Sequence, residues 1–297
     1  MIGTVISYCT NDYRFISKCI EEAKVFSNQI LVVVCDHFFN GEEENRVLLD
    51  STYASHPDCQ FIEFAYYPDH IYSKYHTIDP ASEDWAIYWT ATTRYIGLQY
   101  MSREIEHVLF LDSDEVVEGT RFLKWFESGK EREFEVMRFG SYYYAIRADL
   151  QSELYVNLPL IVKKECFQGL TLLNSLERIG AYRSHVGPKR EYVLGLDEKP
   201  LVHHYSWVRT KQEALQKGRT WAHRNDADWD ALIKDAFQLK NIDRIFGSDH
   251  TFKTIESPYF DPMSVKIPQK RASIHTSNVL KIGAQDVFRK EIENEFV

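Results

Sequence analysis

The sequence predicts an α/β fold with a mostly parallel central sheet flanked by helices, and three observations support this. Short apolar runs alternate with helix-patterned segments through the first hundred residues. The connections between them are short, which favours right-handed parallel crossovers. Polar residues follow three of the apolar runs, at 7–12, 35–41 and 112–115. These positions are typical of strand ends that meet at one ligand-binding edge of a sheet.

The first βαβ unit is predicted from the alternation of apolar patterns. Residues 2–8 form an apolar strand, residues 12–26 carry apolar side chains at helical spacing, and residues 29–35 form a second buried strand. A helix at 42–50 and a strand at 60–66 continue the alternation.

The next segments lead to an acidic strand end and then to antiparallel structure. Residues 85–102 predict a helix that leads to the strand ending at Asp112, and residues 134–147 and 154–162 predict two antiparallel strands. The segment 203–209 is interpreted as irregular. Two helices are expected at 210–223 and 229–239.

Length and composition favour one large domain with an appended segment. The chain has 297 residues, of which 44% are hydrophobic, so it can bury a sizeable core. We expect a main domain at 1–225 and a C-terminal helical extension at 226–297 that packs on it. Prolines interrupt the pattern in that last segment.

Charge and cysteine content restrict the partners and the compartment. Lys and Arg total 35 against 44 Asp and Glu, a net charge of −9 that argues against a nucleic-acid acceptor. The five cysteines form no CxxC pair, which predicts reduced thiols in a cytoplasmic setting. The apolar run at 30–35 is too short to span a bilayer, so no transmembrane segment is expected.

The acidic pair in HVLFLDSDEVVE, residues 107–118, is the main functional signal. Side chains two positions apart on an extended segment point the same way, so Asp112 and Asp114 can share one hard cation while Ser113 faces elsewhere. Such a cation would hold a diphosphate. Because a solvated turn or a helix cap also uses acidic residues after a strand, the neighbouring segments have to support this interpretation.

Four segments in order resemble the inverting family 2 glycosyltransferases with the GT-A fold, over about residues 2–225. They are ISYCTND (6–12), ILVVVCD (30–36), TRYIGL (93–98) and FLDSDE (110–115). The resemblance implies a metal-dependent enzyme that moves a sugar from a nucleoside diphosphate sugar, most often a UDP-sugar, to a hydroxyl of a glycan or another acceptor. Inversion at the anomeric carbon is implied as well.

The resemblance also implies roles for individual residues. Asp36 would bind the nucleoside and Arg94 would correspond to the arginine that precedes the metal strand, while Thr10 and Asp12 would line the donor site. Asp112 and Asp114 would hold Mn²⁺ or Mg²⁺, and Ser113 between them would lie against the donor. Simpler roles are open for Asp36 and Asp12 as turn or cap acids, and for Arg94 as an ion-paired residue.

The segment PLVHHYSWVRTKQEALQKGRTWA, residues 200–222, resembles the HYSY segment of core-oligosaccharide sugar transferases in the same family. The resemblance implies that His204 helps to hold the metal or the diphosphate and that Lys217 contacts a phosphate. His203 is the alternative to His204. Zinc is the rival metal, but no familiar ligand spacing connects the histidines with Cys166.

The catalytic base is the least defined part of the resemblance. The related enzymes supply a glutamate from a VHE segment, whereas this chain has SHVG at 184–187 with valine in its place. The remaining candidates are Glu177, Glu191, Asp197 and His185, with Glu177 and Asp197 placed ahead of His185.

Two other functions are compatible with the pattern. A sugar nucleotidyltransferase would share the sheet and the metal, but the segment after the first strand, residues 6–12, lacks the glycine-rich loop that such enzymes need. A non-catalytic carbohydrate-binding or assembly protein could retain the fold without the base.

Overall fold

A computed structural model describes residues 1–66, 84–174, 178–238, 250–273, 278–283 and 286. It confirms a mixed α/β fold in which helices flank a largely parallel central sheet. In chain order, the first part of the fold runs β1 (Ile2–Tyr8), α1 (Tyr13–Ala23), β2 (Gln29–Cys35), α2 (Arg46–Ser55), β3 (Gln60–Phe64), α3 (Asp84–Tyr100), β4 (His107–Asp112), β5 (Glu115–Val117) and α4 (Gly119–Glu127). The second part runs β6 (Val136–Ala145), β7 (Leu150–Ser152), β8 (Val156–Lys163), α5 (Leu170–Asn174), α6 (Arg178–Ser184), β9 (Lys189–Val193), β10 (Val202–Trp207), α7 (Lys211–Thr220), α8 (Trp229–Ala236), β11 (Phe252–Thr254) and β12 (Val279–Ile282).

Strand β1 occupies the point where the order of the sheet reverses. It pairs in parallel with β2 on one side and with β4 on the other, and β2 pairs in parallel with β3. Beyond β4 the sheet becomes antiparallel through β8 and β6. From β1 the chain continues to β2 on one side of the sheet and later to β4 on the other side. A crevice therefore opens at the carboxyl ends of β1, β2 and β4. The sequence prediction of converging strand ends is therefore confirmed.

Both faces of the parallel strands are buried, which explains their unbroken apolar runs. Val5 and Val33 belong to the core beneath α3, where they meet Ile96. Their neighbours along the strands, Ile6 and Val32, belong to the core beneath α1 and α4. The strands are thereby fixed on both sides, and their polar ends can be held in one place.

Strand β10 corrects the sequence analysis, which interpreted 203–209 as irregular. It pairs with β5 and with β6, so it lies in the sheet. Successive side chains of a strand point to opposite faces. His203 is therefore directed toward Glu118 and Tyr144, while His204 faces Asp114.

The remaining differences concern short elements that the sequence analysis did not assign, among them α4, α6 and β9, and also the ends of elements and the C-terminal segment. Helix α2 begins four residues later than predicted because Asn45 caps it, accepting hydrogen bonds from two backbone amides. The segment after residue 225 contains α8, and it also supplies β11 to the strand β7 and β12 to the strand β3. The division into a domain and an extension stays a prediction. No helix among the described residues is long and apolar enough to cross a membrane.

The packing of α3 on β1 generates a stability prediction. A Cβ atom on Gly97 would lie 2.3 Å from one Val5 methyl carbon and 2.7 Å from the other. Because Val5 is buried and branched, it cannot move aside, so Gly97→Ala should lower the free energy of unfolding by about 1–3 kcal/mol. Urea denaturation measures this change. An unchanged or raised midpoint, as helix propensity alone would give, would contradict the described packing.

Candidate active site

A cleft of about 410 Å³ lies beyond the carboxyl ends of β1, β2 and β4. Its lining includes the aromatic residues Tyr8, Phe38 and Phe39. Asp112 and Asp114 also line it. The volume falls in the range of pockets that bind small molecules and cofactors.

Asp112 ends β4 between two arginines. Arg94 of α3 donates a hydrogen bond to one carboxylate oxygen at 2.7 Å, and Arg178 of α6 donates to the other at 2.9 Å. Burial raises the pKa of Asp112, but the positive charges of Arg178 and Arg94 outweigh it and hold that pKa below its usual value. The side chain is 31% exposed, on the cleft side, so Asp112 is an ionised carboxylate within reach of a ligand.

Asp114 is more deeply enclosed, with a side chain that is 4% exposed. Its Oδ2 atom accepts hydrogen bonds from Lys217 at 2.8 Å and from Arg209 at 3.2 Å. The Nε2 atom of His204 lies 3.5 Å from its Oδ1 atom. Burial raises the pKa of Asp114, whereas Lys217 and His204 lower it well below its usual value. The structure thus brings together three residues that the sequence analysis assigned to one site.

Ser113 points away from the cleft, as its position between the two aspartates predicts. It is buried and donates a hydrogen bond at 2.8 Å to Asp12, so its hydroxyl does not face a sugar donor in the cleft in this structure. Asp12 itself lines the cleft and pairs with Arg209 at 2.5 Å. Arg209 also donates to the carbonyl oxygen of Asn11, and it therefore ties the end of β1 to Asp114.

A third carboxylate, that of Glu115, follows the acidic pair and is buried inside the protein. Glu115 is fully buried and receives two hydrogen bonds from Arg178, at 2.6 and 2.8 Å. Burial raises the pKa of Glu115. Since one guanidinium thus serves both Glu115 and Asp112, Arg178 fixes the end of β4. Arg178 and Arg209 were not identified from the sequence, because an isolated arginine in a helical or loop segment carries no periodic signal.

Glu44 is another residue that the sequence analysis missed. It lines the cleft near the end of β1, where the backbone amide of Thr10 donates to it at 3.0 Å and the Thr10 hydroxyl donates to the same oxygen. Burial raises the pKa of Glu44 to about 8. Thr10 itself therefore holds this neutral carboxyl at the cleft. The run GEEEN in which Glu44 lies is typical of a solvated loop, so no local signal marked it.

The predicted nucleoside residues Asp36 and Arg94 do not themselves line the cleft. Asp36 accepts a hydrogen bond at 2.7 Å from the backbone amide of Tyr66 and lies 2.7 Å from the ring of His37. His37 lines the cleft. Arg94 is buried behind Asp112. Asp36 and Arg94 therefore reach the cleft in this structure only through His37 and Asp112, which line it. Their contact with a nucleoside stays a prediction.

The candidates for the catalytic base differ in their location. Glu177 lies outside the described residues, next to Arg178, which lines the cleft. Asp197 is a half-exposed residue paired with Arg121 at 2.5 Å, and His185 pairs with Glu135 at 2.8 Å. The structure does not bring Asp197 or His185 to the lining of the cleft.

The acidic pair and His204 suit a divalent cation as an open, partial site. The described residues include no ready-made group of three His, Cys, Asp or Glu side chains that could hold a metal ion. Mg²⁺ is commonly held by one or two carboxylates together with substrate phosphates and water, and an imidazole extends such a set to Mn²⁺. Asp114 and His204 face each other at the cleft with Asp112 beside them, so these residues fit a cation that a bound phosphate completes.

Comparisons with known proteins give distant structural likenesses. No family model and no curated protein matches the chain. A crystal structure of Rv0371c with manganese, from Mycobacterium tuberculosis H37Rv, is 9% identical, with a TM-score of 0.40 over 65% of this chain and 87% of that one. S. aureus TarS 1–349 is 11% identical, with a TM-score of 0.41 over 82% and 74%. A 4-diphosphocytidyl-2C-methyl-D-erythritol synthase from Anaerococcus prevotii DSM 20548 is 9% identical, with a TM-score of 0.38 over 72% and 95%.

The raised pKa of Glu44 generates a pH-dependent prediction. The carboxyl has a pKa of about 8 in the folded chain against 4.5 for the free group, so the unfolded chain loses a proton that the folded chain keeps between these pH values. Stability should therefore fall as the pH rises through this interval. Glu44→Gln removes the titrating group and should make the protein more stable than wild type at pH 8, by a few kcal/mol at about 1.4 kcal/mol per pKa unit.

Urea denaturation of both proteins at pH 5 and pH 8 measures this difference. The gain from Glu44→Gln should be much larger at pH 8 than at pH 5. An equal gain at both pH values would show that Glu44 is ionised in the folded chain.

Proposed function

We propose that this chain is a glycosyltransferase of the GT-A type that moves a sugar from a nucleoside diphosphate sugar to an acceptor hydroxyl, with inversion. One observation carries the proposal: Asp112 and Asp114 border a cleft at the reversal point of a parallel sheet, and Lys217 and His204 meet Asp114 there. Acidic oxygens for a cation and a lysine for a phosphate are the groups that a diphosphate requires.

The lining of the cleft offers groups for both parts of the donor. Asp112, Asp114 and Lys217 suit the diphosphate and its cation, while Tyr8, Phe38 and Phe39 offer aromatic surface for a nucleobase. Asp12 lines the cleft, and Thr10 and Asp36 contact Glu44 and His37, which line it, so all three keep their proposed part in holding the nucleoside. UDP is the nucleotide that we propose, on the resemblance of the sequence segments alone.

The residues around Asp114 can serve the departing diphosphate. Asp114, His204 and Asp112 would hold Mn²⁺ or Mg²⁺, which supplies positive charge to the leaving group. Lys217 can turn its ammonium from Asp114, now 2.8 Å away, toward a phosphate oxygen in the same cleft. Arg209 keeps its contacts with both Asp12 and Asp114 and so fixes the position of Asp114 relative to the end of β1.

Glu177 is proposed as the base that accepts the proton of the acceptor hydroxyl. Its neighbour in sequence, Arg178, lines the cleft and donates a hydrogen bond to Asp112 at 2.9 Å. Asp197 and His185 are less suitable, since each is engaged by another charged residue outside the lining of the cleft.

Nucleotide binding tests the first part of the proposal. We expect UDP to raise the melting temperature of the wild-type protein in the presence of Mn²⁺, and to do so much less in EDTA. A ligand at about 100 times its Kd contributes about 2.7 kcal/mol. UMP is the matched control, because it lacks the second phosphate. If no nucleoside diphosphate stabilises the protein with either metal, a non-catalytic carbohydrate-binding role becomes the better explanation.

Replacement of Glu177 tests the assignment of the base. Glu177→Gln should lower kcat by about 10² to 10⁴ while the affinity for UDP stays within a small factor, since a general base acts on the chemical step. Asp197→Asn is the matched control and should leave kcat nearly unchanged. Full activity in Glu177→Gln, or an equal loss in the control, would remove Glu177 from this role.

A further inference from the structure

Arg138 is a basic residue of the cleft that the proposed transfer reaction does not use. It projects from β6 and lines the cleft together with Leu158 and Ile179. Its side chain is 7% exposed. Lys217 and His204 belong to α7 and β10. Arg138 therefore lies on a different element of the cleft wall from the side chains assigned to the diphosphate.

The contacts of Arg138 do not use all of its donors. One Nη atom donates to Glu191 at 3.2 Å, and the other donates to the carbonyl oxygen of Asn157. The Nε atom is buried and has no hydrogen-bond partner among the described residues. An unused donor on a buried guanidinium is costly, and structures normally satisfy such groups.

The charge of Arg138 is only partly compensated. Glu191, its partner, has a side chain that is 40% exposed, so water screens that ion pair. Burial and the nearby positive charge of Arg178 both lower the pKa of Arg138. A guanidinium held beside another guanidinium and against apolar side chains gains free energy when an anion joins it.

We infer that Arg138 forms a second anion-binding subsite, which accepts a carboxylate or a phosphate carried by one of the two sugars. Arg138 lines the same cleft as Asp112 and Asp114, so the subsite would face the transferred sugar or the acceptor there. The inference rests on the proposed function. Its chemistry fits a uronic acid or a sugar phosphate, since a guanidinium forms charge-assisted hydrogen bonds with both groups.

Two comparisons on the wild-type protein distinguish the possible sources of the anion. The donor arm compares UDP-glucuronic acid with UDP-glucose in the presence of Mn²⁺. The acceptor arm compares glucose 6-phosphate and glucuronic acid with glucose, both with and without UDP and Mn²⁺. Isothermal titration calorimetry measures each affinity. We expect the anionic ligand to bind at least about 10-fold more tightly than its neutral counterpart in one arm, the scale of a charge-assisted hydrogen bond.

The Arg138→Gln variant ties that preference to the residue. In this variant the affinities for the anionic and the neutral ligand should differ by no more than about a factor of three, while the affinity for UDP stays unchanged. The control is Arg190→Gln at an exposed position of β9, which should keep the preference for the anionic ligand. Equal binding of anionic and neutral ligands in both arms of the wild type would overturn the inference, whether or not the variant folds. If UDP does not bind, the proposed function fails. The anion preference is still decided in that case, because the acceptor arm is also measured without nucleotide.

Discussion

A compact network of opposite charges at the ends of β1 and β4 is the constraint on which the site depends. Its four carboxylates and four basic groups are Asp12, Asp112, Asp114, Glu115, Arg94, Arg178, Arg209 and Lys217. Buried charges are tolerated only when they are paired and hydrogen-bonded, so removal of one member leaves its partner unpaired at a cost of about 3–5 kcal/mol. The network thus fixes the geometry of the strand ends before any ligand arrives.

The same network can exchange partners when a ligand binds. Asp112 and Asp114 carry negative charge at neutral pH because neighbouring cations hold both pKa values low. A divalent cation can pair with Asp114, and a diphosphate can pair with Lys217. Both residues can therefore exchange their present contact for a new one without leaving either charge unpaired. This coupling would make nucleotide and metal bind together more tightly than either alone.

The fold and part of the site could be predicted from sequence because their signals are local. The apolar runs of β1, β2 and β4 and the spacing of Asp112 and Asp114 are visible within a few residues. Arg209 acts through a contact with Asp12 that spans 197 positions, and no local pattern reveals it. Strand β10 escaped prediction because its sequence VHHYSW lacks a run of branched apolar residues, and only pairing with β5 and β6 makes it a strand.

The position of a bound cation tests the central claim most directly. Crystals of the protein grown with UDP and Mn²⁺ and measured at the manganese absorption edge locate the ion by its anomalous scattering. The account predicts one ion held by Asp114 Oδ1 and His204 Nε2, with Asp112 beside it and both phosphates of UDP in contact. An ion bound elsewhere, with Asp114 still paired to Lys217 and UDP outside the cleft, would contradict it.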